Sequence, residues 1–121
     1  MTDRTFRIAV LPGDGIGVEV MEAAIEVLDR LVTRVGGFKL AFEHHRAGAE
    51  LYRATGVDLP DRVRKACERA DAILFGAMGL PDVRYPDGTE IAPQLTLRAA
   101  LDLYAGVRPV RALPEIGRAH V

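Results

Sequence analysis

Apolar and polar positions change period several times along the chain, and each change marks an element. Ile8, Ala9, Val10 and Leu11 form a short unbroken apolar run that stops at Pro12 and the glycine-rich PGDGIG. Arg7 to Leu11 is therefore predicted as a buried strand ending in a turn. From Gly17 onward Met21, Ala24, Leu28, Leu31 and Val35 recur at spacings of three and four, with Glu22, Glu26, Arg30 and Arg34 opposite them. That period predicts an amphipathic helix, stopped by Gly36 and Gly37. Glu26 and Arg30 make an i,i+4 pair in the favourable order, and Glu19 and Glu22 lie near the positive end of the helix.

Phe38, Leu40 and Phe42 alternate with Lys39, Ala41 and Glu43, which predicts a second strand over Phe38 to Arg46. Short helices are expected over Ala47 to Thr55, closed by Gly56, and over Asp61 to Ala70, opening after Pro60 with Val63, Ala66, Cys67 and Ala70 on one side. Ala72 to Phe75 reads as a strand. Leu80 to Gln94 carries three prolines and no stable period, so it is a long loop of the sort that usually serves function. A helix over Thr96 to Leu103 and a strand over Ala105 to Arg111, with Pro109 inside it, complete the series. Strands alternating with helices predict an α/β fold with helical crossovers.

Composition narrows the functions. With 16 basic and 17 acidic residues the net charge is -1, which gives no electrostatic reason for a nucleic-acid or anionic-membrane partner. A share of 49% hydrophobic and 27% charged residues is that of a folded soluble chain. The single cysteine, Cys67, excludes an internal disulfide and is expected as a small buried packing residue. No apolar stretch near the start resembles a signal peptide, so a cytoplasmic location is expected.

Gly13, Gly15 and Gly17 stand between a strand and a helix, where bare backbone amides and the helix start favour an anion. The dinucleotide fingerprint fails, because its third glycine would fall at Val18 and no acid lies about 20 residues on. No Gly-Lys-Ser or Gly-Lys-Thr follows either. The turn is either plain structure or a ligand contact, which leaves a non-catalytic anion- or nucleotide-binding module as an alternative to an enzyme. Asp14, Asp82 and Asp87 sit in turns without metal-ligand spacing and read as structural or solvated. His44 and His45 have no nearby Cys or His that would make a metal site.

Four blocks together carry a family resemblance: IAVLPGDGIGVEVMEAAIEVLD, GVDLP at Gly56 to Pro60, ADAILFGAMGLP at Ala70 to Pro81, and TLRAALDLYAGVRPVR at Thr96 to Arg111. In order and spacing the chain resembles the amino-terminal part of the isocitrate and isopropylmalate dehydrogenases, with valine at Val18 where relatives usually carry proline. The resemblance implies residues 1–114 of an isopropylmalate-dehydrogenase-like α/β sandwich, an incomplete sheet with helical crossovers. It implies an oxidoreductase that oxidatively decarboxylates a 2-hydroxy-3-carboxy acid with NAD or NADP and with magnesium or manganese. Its substrate is a small hydroxy-dicarboxylate or tricarboxylate, and the full-length parent is expected to be a homodimer.

By position in these motifs Arg98 and Arg108 match the arginines that hold substrate carboxylates. The chemistry agrees, since a guanidinium fork pairs bidentately with a carboxylate; the plain alternative is two surface arginines. Gln94 falls where isopropylmalate enzymes have leucine and isocitrate enzymes asparagine, so 3-isopropylmalate is slightly preferred over isocitrate, tartrate or malate. Ile16 and Gly76 take positions that face the cofactor in relatives, and Ile16 reads equally as a core residue at a helix start. Glu90 is the acid of the loop that approaches the nicotinamide ribose, although ungapped alignment puts the relatives' glutamate at Ile91. The family's catalytic tyrosine and lysine and its metal-binding aspartates match no residue of this sequence, so catalytic and metal residues are expected outside it, and the chain alone is expected to be inactive. The last residues, EIGRAHV, translate the adapter sequence GAGATCGGAAGAGCACACGTC, which predicts a non-native tail over 115–121 and no role for His120.

Overall fold

A computed structural model describes residues 3–114. The elements run β1 (Arg4–Gly13), α1 (Ile16–Val35), β2 (Phe38–His44), α2 (Ala49–Thr55), α3 (Asp61–Arg69), β3 (Ala72–Ala77) and α4 (Pro93–Ala100). The strands form one parallel sheet in the order β2-β1-β3, with Arg4 opposite Phe38 on one side of β1 and Ile8 opposite Ala72 on the other. Each crossover must be right-handed, and the chain steps one way from β1 to β2 and the other way from β2 to β3. The intervening helices therefore lie on opposite faces.

Strand parity shows the two faces. Ala9 and Leu11 join Val63 and Cys67 of α3, Leu97 of α4, and the half-buried Ile73 and Phe75 of β3 in one cluster. Val10 points the other way and is equally buried, on the face that α1 covers as it packs across all three strands. Cys67 sits inside the first cluster as expected, and burial pushes its thiol pKa up. Glu26 and Arg30 pair at 2.7 Å, also as expected.

Boundaries moved where backbone pairing overrides side-chain pattern. β1 begins at Arg4 because Arg4, Thr5 and Phe6 pair with Phe38, Lys39 and Leu40 whatever their polarity. The second strand stops at His44, and after one more bond, from His45 N–H to the Val10 carbonyl, the chain turns through Gly48 so that α2 starts at Ala49. On α1 the inner stripe is Met21, Ala24, Ile25, Leu28 and Val32, whereas Leu31 and Val35, assigned to it from spacing, are exposed. α4 starts three residues earlier than expected, at Pro93, whose fixed φ suits the first helical turn. It ends before Asp102, which takes a φ of 51°. Ala105 to Arg111 is no strand: it is exposed, and no described strand pairs with it. A short segment with strand-forming residues becomes a strand only when a neighbour completes its ladder, and Pro109 removes one donor as well. Residues 115–121, expected to be a non-native tail, lie outside the described residues.

Candidate active site

In a sheet of order 2-1-3 the helices switch faces between β1 and β3, and ligands of such folds bind beyond the carboxyl ends of the strands at that switch point. Asp14, the first residue past β1, organises this edge. Its N–H donates to the Ala77 carbonyl at 2.7 Å. Its carboxylate, 3% exposed, accepts the N–H of Ala49 at 2.7 Å, of Glu50 at 2.9 Å and of Gly79 at 2.8 Å. One buried charge thus ties the end of β1 to the start of α2 and to the segment after β3. The sequence marked Asp14 as a turn residue, structural or solvated; it is structural and buried.

The glycines here serve close packing. A Cβ at Gly76 would meet the Pro12 carbonyl oxygen at 2.1 Å, and one at Gly13, with φ at +81°, would meet that of Ala77 at 2.0 Å. Gly76 therefore presents its backbone to β1. Ile16, the first residue of α1, is 67% exposed and not a core side chain.

The loop after β3 is clamped to α2. Val83 and Ile91 are buried against Ala49, with Tyr52, Leu80 and Tyr85 around them. Tyr85 donates its hydroxyl proton to Asp58 at 2.5 Å and meets Tyr52 edge to face at 5.3 Å between ring centres. Burial, and then the hydrogen bond to Asp58, push the Tyr85 phenol up to about 12. Arg84 and Glu90 face each other across this loop with 3.5 Å between their charged groups. Glu90 is exposed and lines a cleft with Met78, Gly79 and Arg84, whereas Ile91 is core and turned away from solvent.

α4 then brings the substrate candidates together. Gln94 and Arg98, one turn apart, line a cavity of about 240 Å³ floored by Ile73, Phe75 and Leu97. The Gln94 Oε1 is enclosed and has no hydrogen-bond partner. Arg98 also borders a second hollow of about 420 Å³ formed with Leu103 to Arg108, so Arg98 and Arg108 share a wall. Neither arginine makes an ion pair among the described residues. Ile16 lines none of these cavities.

Residues 7–121 match the profile of the family described as isocitrate/isopropylmalate dehydrogenase. The chain belongs to that family. Among curated relatives, the 3-isopropylmalate dehydrogenase of Symbiobacterium thermophilum is 44% identical over 120 residues, 96% of this chain and 32% of its own length. A probable tartrate dehydrogenase/decarboxylase of Agrobacterium vitis is 40% identical over 114 residues, 93% of this chain and 31% of its own. A solved β-decarboxylating dehydrogenase of Thermococcus kodakarensis superposes with a TM-score of 0.66 at 37% identity, covering 82% of this chain and 27% of that one. The chain spans about a third of the length of the curated relatives it matches. The isocitrate/isopropylmalate dehydrogenase fold is thus represented here by the sheet edge and the helix that carry Asp14, Gln94 and Arg98. Among the described residues no helix is long and apolar enough to cross a membrane.

Proposed function

We propose that this chain supplies part of the substrate pocket, and one wall of the dinucleotide cleft, of a cytoplasmic, homodimeric NAD(P)-dependent dehydrogenase that oxidatively decarboxylates a 2-hydroxy-3-carboxy acid, with 3-isopropylmalate preferred. The observation that carries this reading is the placement of Arg98 between two hollows, one holding the unpartnered Gln94 carbonyl and the other bordered by Arg108. Two guanidinium groups from different segments would clamp the two carboxylates of the substrate and fix which face of C2 is presented. Beside them, the Gln94 amide and the apolar floor of Ile73, Phe75 and Leu97 would receive the variable substituent.

A bound NAD(P) would supply, in its nicotinamide ring, the acceptor for the hydride leaving C2. The exposed Ile16 fits an apolar contact with such a ring, and the exposed Glu90 carboxylate fits a ribose hydroxyl as acceptor. Gly76 offers no comparable surface, and its place in the reading is to keep β3 close to β1. For magnesium or manganese the described residues do not fit, since no three His, Cys, Asp or Glu side chains among them converge. No step is assigned to a metal on this chain.

The test is a chimera in which residues 7–114 replace the matching segment of the Symbiobacterium thermophilum enzyme. It should reduce NAD(P) with 3-isopropylmalate faster than with isocitrate, tartrate or malate. Failure with all four acids overturns the reading. Gln94→Leu should raise the ratio of isopropylmalate to tartrate turnover, because an amide that hydrogen-bonds a polar substituent discriminates more strongly than an alkyl wall. An unchanged ratio removes Gln94 from the pocket.

A further inference from the structure

We propose that Tyr85 is a positioning residue for the substrate pocket: its phenol oxygen joins the turn at Asp58 to the first turn of α4 and so fixes where Gln94 and Arg98 stand. The inference rests on the reading of those two side chains as substrate contacts. It begins with the way α4 opens. Ala92 precedes the helix and Pro93 starts it, so the first helical position brings no N–H, and no side-chain hydrogen bond caps this end. The Ala92 N–H is turned instead toward the Tyr85 phenol oxygen, which serves it as the carboxylate of a capping box would. The same hydroxyl donates its proton to Asp58 at 2.5 Å. One oxygen therefore couples segments that lie on either side of β3 in the chain.

Asp58 is itself well placed to serve as the fixed end. Its carbonyl accepts the Gly48 N–H at 2.8 Å, Leu59 beside it packs on the core cluster, and Pro60 opens α3. A Cβ at Gly48 would meet the Asp14 carboxylate, so this end of the link abuts the buried charge that ties β1 to α2. The Tyr85 ring, by contrast, is held without its hydroxyl. It lies edge to face on Tyr52 and packs with Val83 and Ile91 against Ala49. The tip of the loop closes on itself, with the Gly88 N–H donating to the Tyr85 carbonyl at 2.8 Å and the Tyr85 N–H to the Thr89 carbonyl at 2.9 Å. Removing the hydroxyl alone therefore leaves the loop packed and frees the entry to α4. Gln94 stands in that first turn and Arg98 one turn on, so a displaced helix start carries both with it. A shift of about 1 Å in groups that orient a substrate costs about tenfold or more.

Two measurements test this. On the whole chain, Tyr85→Phe should speed amide hydrogen exchange about tenfold at Ala92 and Leu95 and change it by less than about twofold at Val10 and Leu11 of β1. Asp58→Asn keeps an oxygen acceptor for the phenol and should retain the wild-type rates, whereas Asp58→Ala should match Tyr85→Phe. In the chimera carrying residues 7–114, Tyr85→Phe and Asp58→Ala should each raise KM for the acid about tenfold and leave KM for NAD(P) within about twofold, and the double variant should be no worse than either single one. Wild-type exchange at Ala92 in Tyr85→Phe overturns the proposal, and so do an unchanged KM for the acid, equal losses for acid and NAD(P), or single effects that add in the double variant. A chimera inactive with every acid removes the substrate reading, and the pocket role of Tyr85 with it, while the exchange rates still report whether Tyr85 holds α4.

Discussion

Asp14 shows how much a single buried carboxylate does in this molecule. Its oxygens take the amides of Ala49, Glu50 and Gly79, and a hydrogen bond to a charged acceptor is worth about 1.5 to 3 kcal/mol. Asp14→Ala leaves these donors without their acceptor, so a loss of at least about 3 kcal/mol is expected, a fall in Tm of about 10 °C or more by thermal denaturation. An unchanged Tm would mean that water replaces the carboxylate at no cost. In the sequence the strand, the glycines and the acid were all legible, but the partners of the acid were not, because Ala49 and Gly79 are brought to it only by the crossovers. Arg98 was found through its motif and not its surroundings. In the chimera, Arg98→Lys keeps the charge and loses the fork, and kcat/KM should fall about tenfold to a hundredfold. Wild-type kinetics in that variant would remove Arg98 from substrate binding.

Among the elements, helices were read more reliably than the faces they present. The spacing that located α1 fitted Leu31 and Val35 to the buried stripe, yet both are exposed: Leu31 lies on a second apolar arc that satisfies the same period, and Val35 is the last residue of the helix. Extended segments failed differently: Ala105 to Arg111 reads as a strand, but no described strand pairs with it and Pro109 removes one donor. The loop from Leu80 to Gln94 was recognisable as irregular, but its anchoring through Tyr85 to Asp58 joins residues too far apart for any local pattern. That anchor has a pH signature. Folding favours the neutral phenol, so the contribution of Tyr85 is complete below its ordinary pKa of about 10 and is lost as pH rises toward about 12. Ultraviolet titration should resolve one late tyrosine, and in Tyr85→Phe both that step and the accompanying alkaline loss of stability should disappear. A single titration of all tyrosines near pH 10 would contradict the clamp.

At the scale of the whole molecule, the stretch after α4 differs from everything before it. Leu103, Tyr104, Val107, Val110 and Leu113 are all more than half exposed, Tyr104 at 98%. Among the described residues, brief trypsin treatment should cut first after Arg111, the Arg108–Pro109 bond being resistant, and a hydrophobic dye should brighten on the chain before and after that cut. Initial cleavage within α3, at Arg64 or Lys65, would show instead that the sheet and its helices are the weaker part. The sheet carries its own consequence for how the chain is made. β1 is synthesised first yet occupies the centre, flanked by strands that arrive later: Arg4 waits for Phe38, and Ile8 waits for Ala72. Until Ala77 has emerged from the ribosome, a nascent chain holds the strand that ends up most buried with one side unpaired, so folding is gated by translation of β3 and is slow for its size. Pausing synthesis between β2 and β3 should expose that strand to chaperones, whereas a pause after α4 should not.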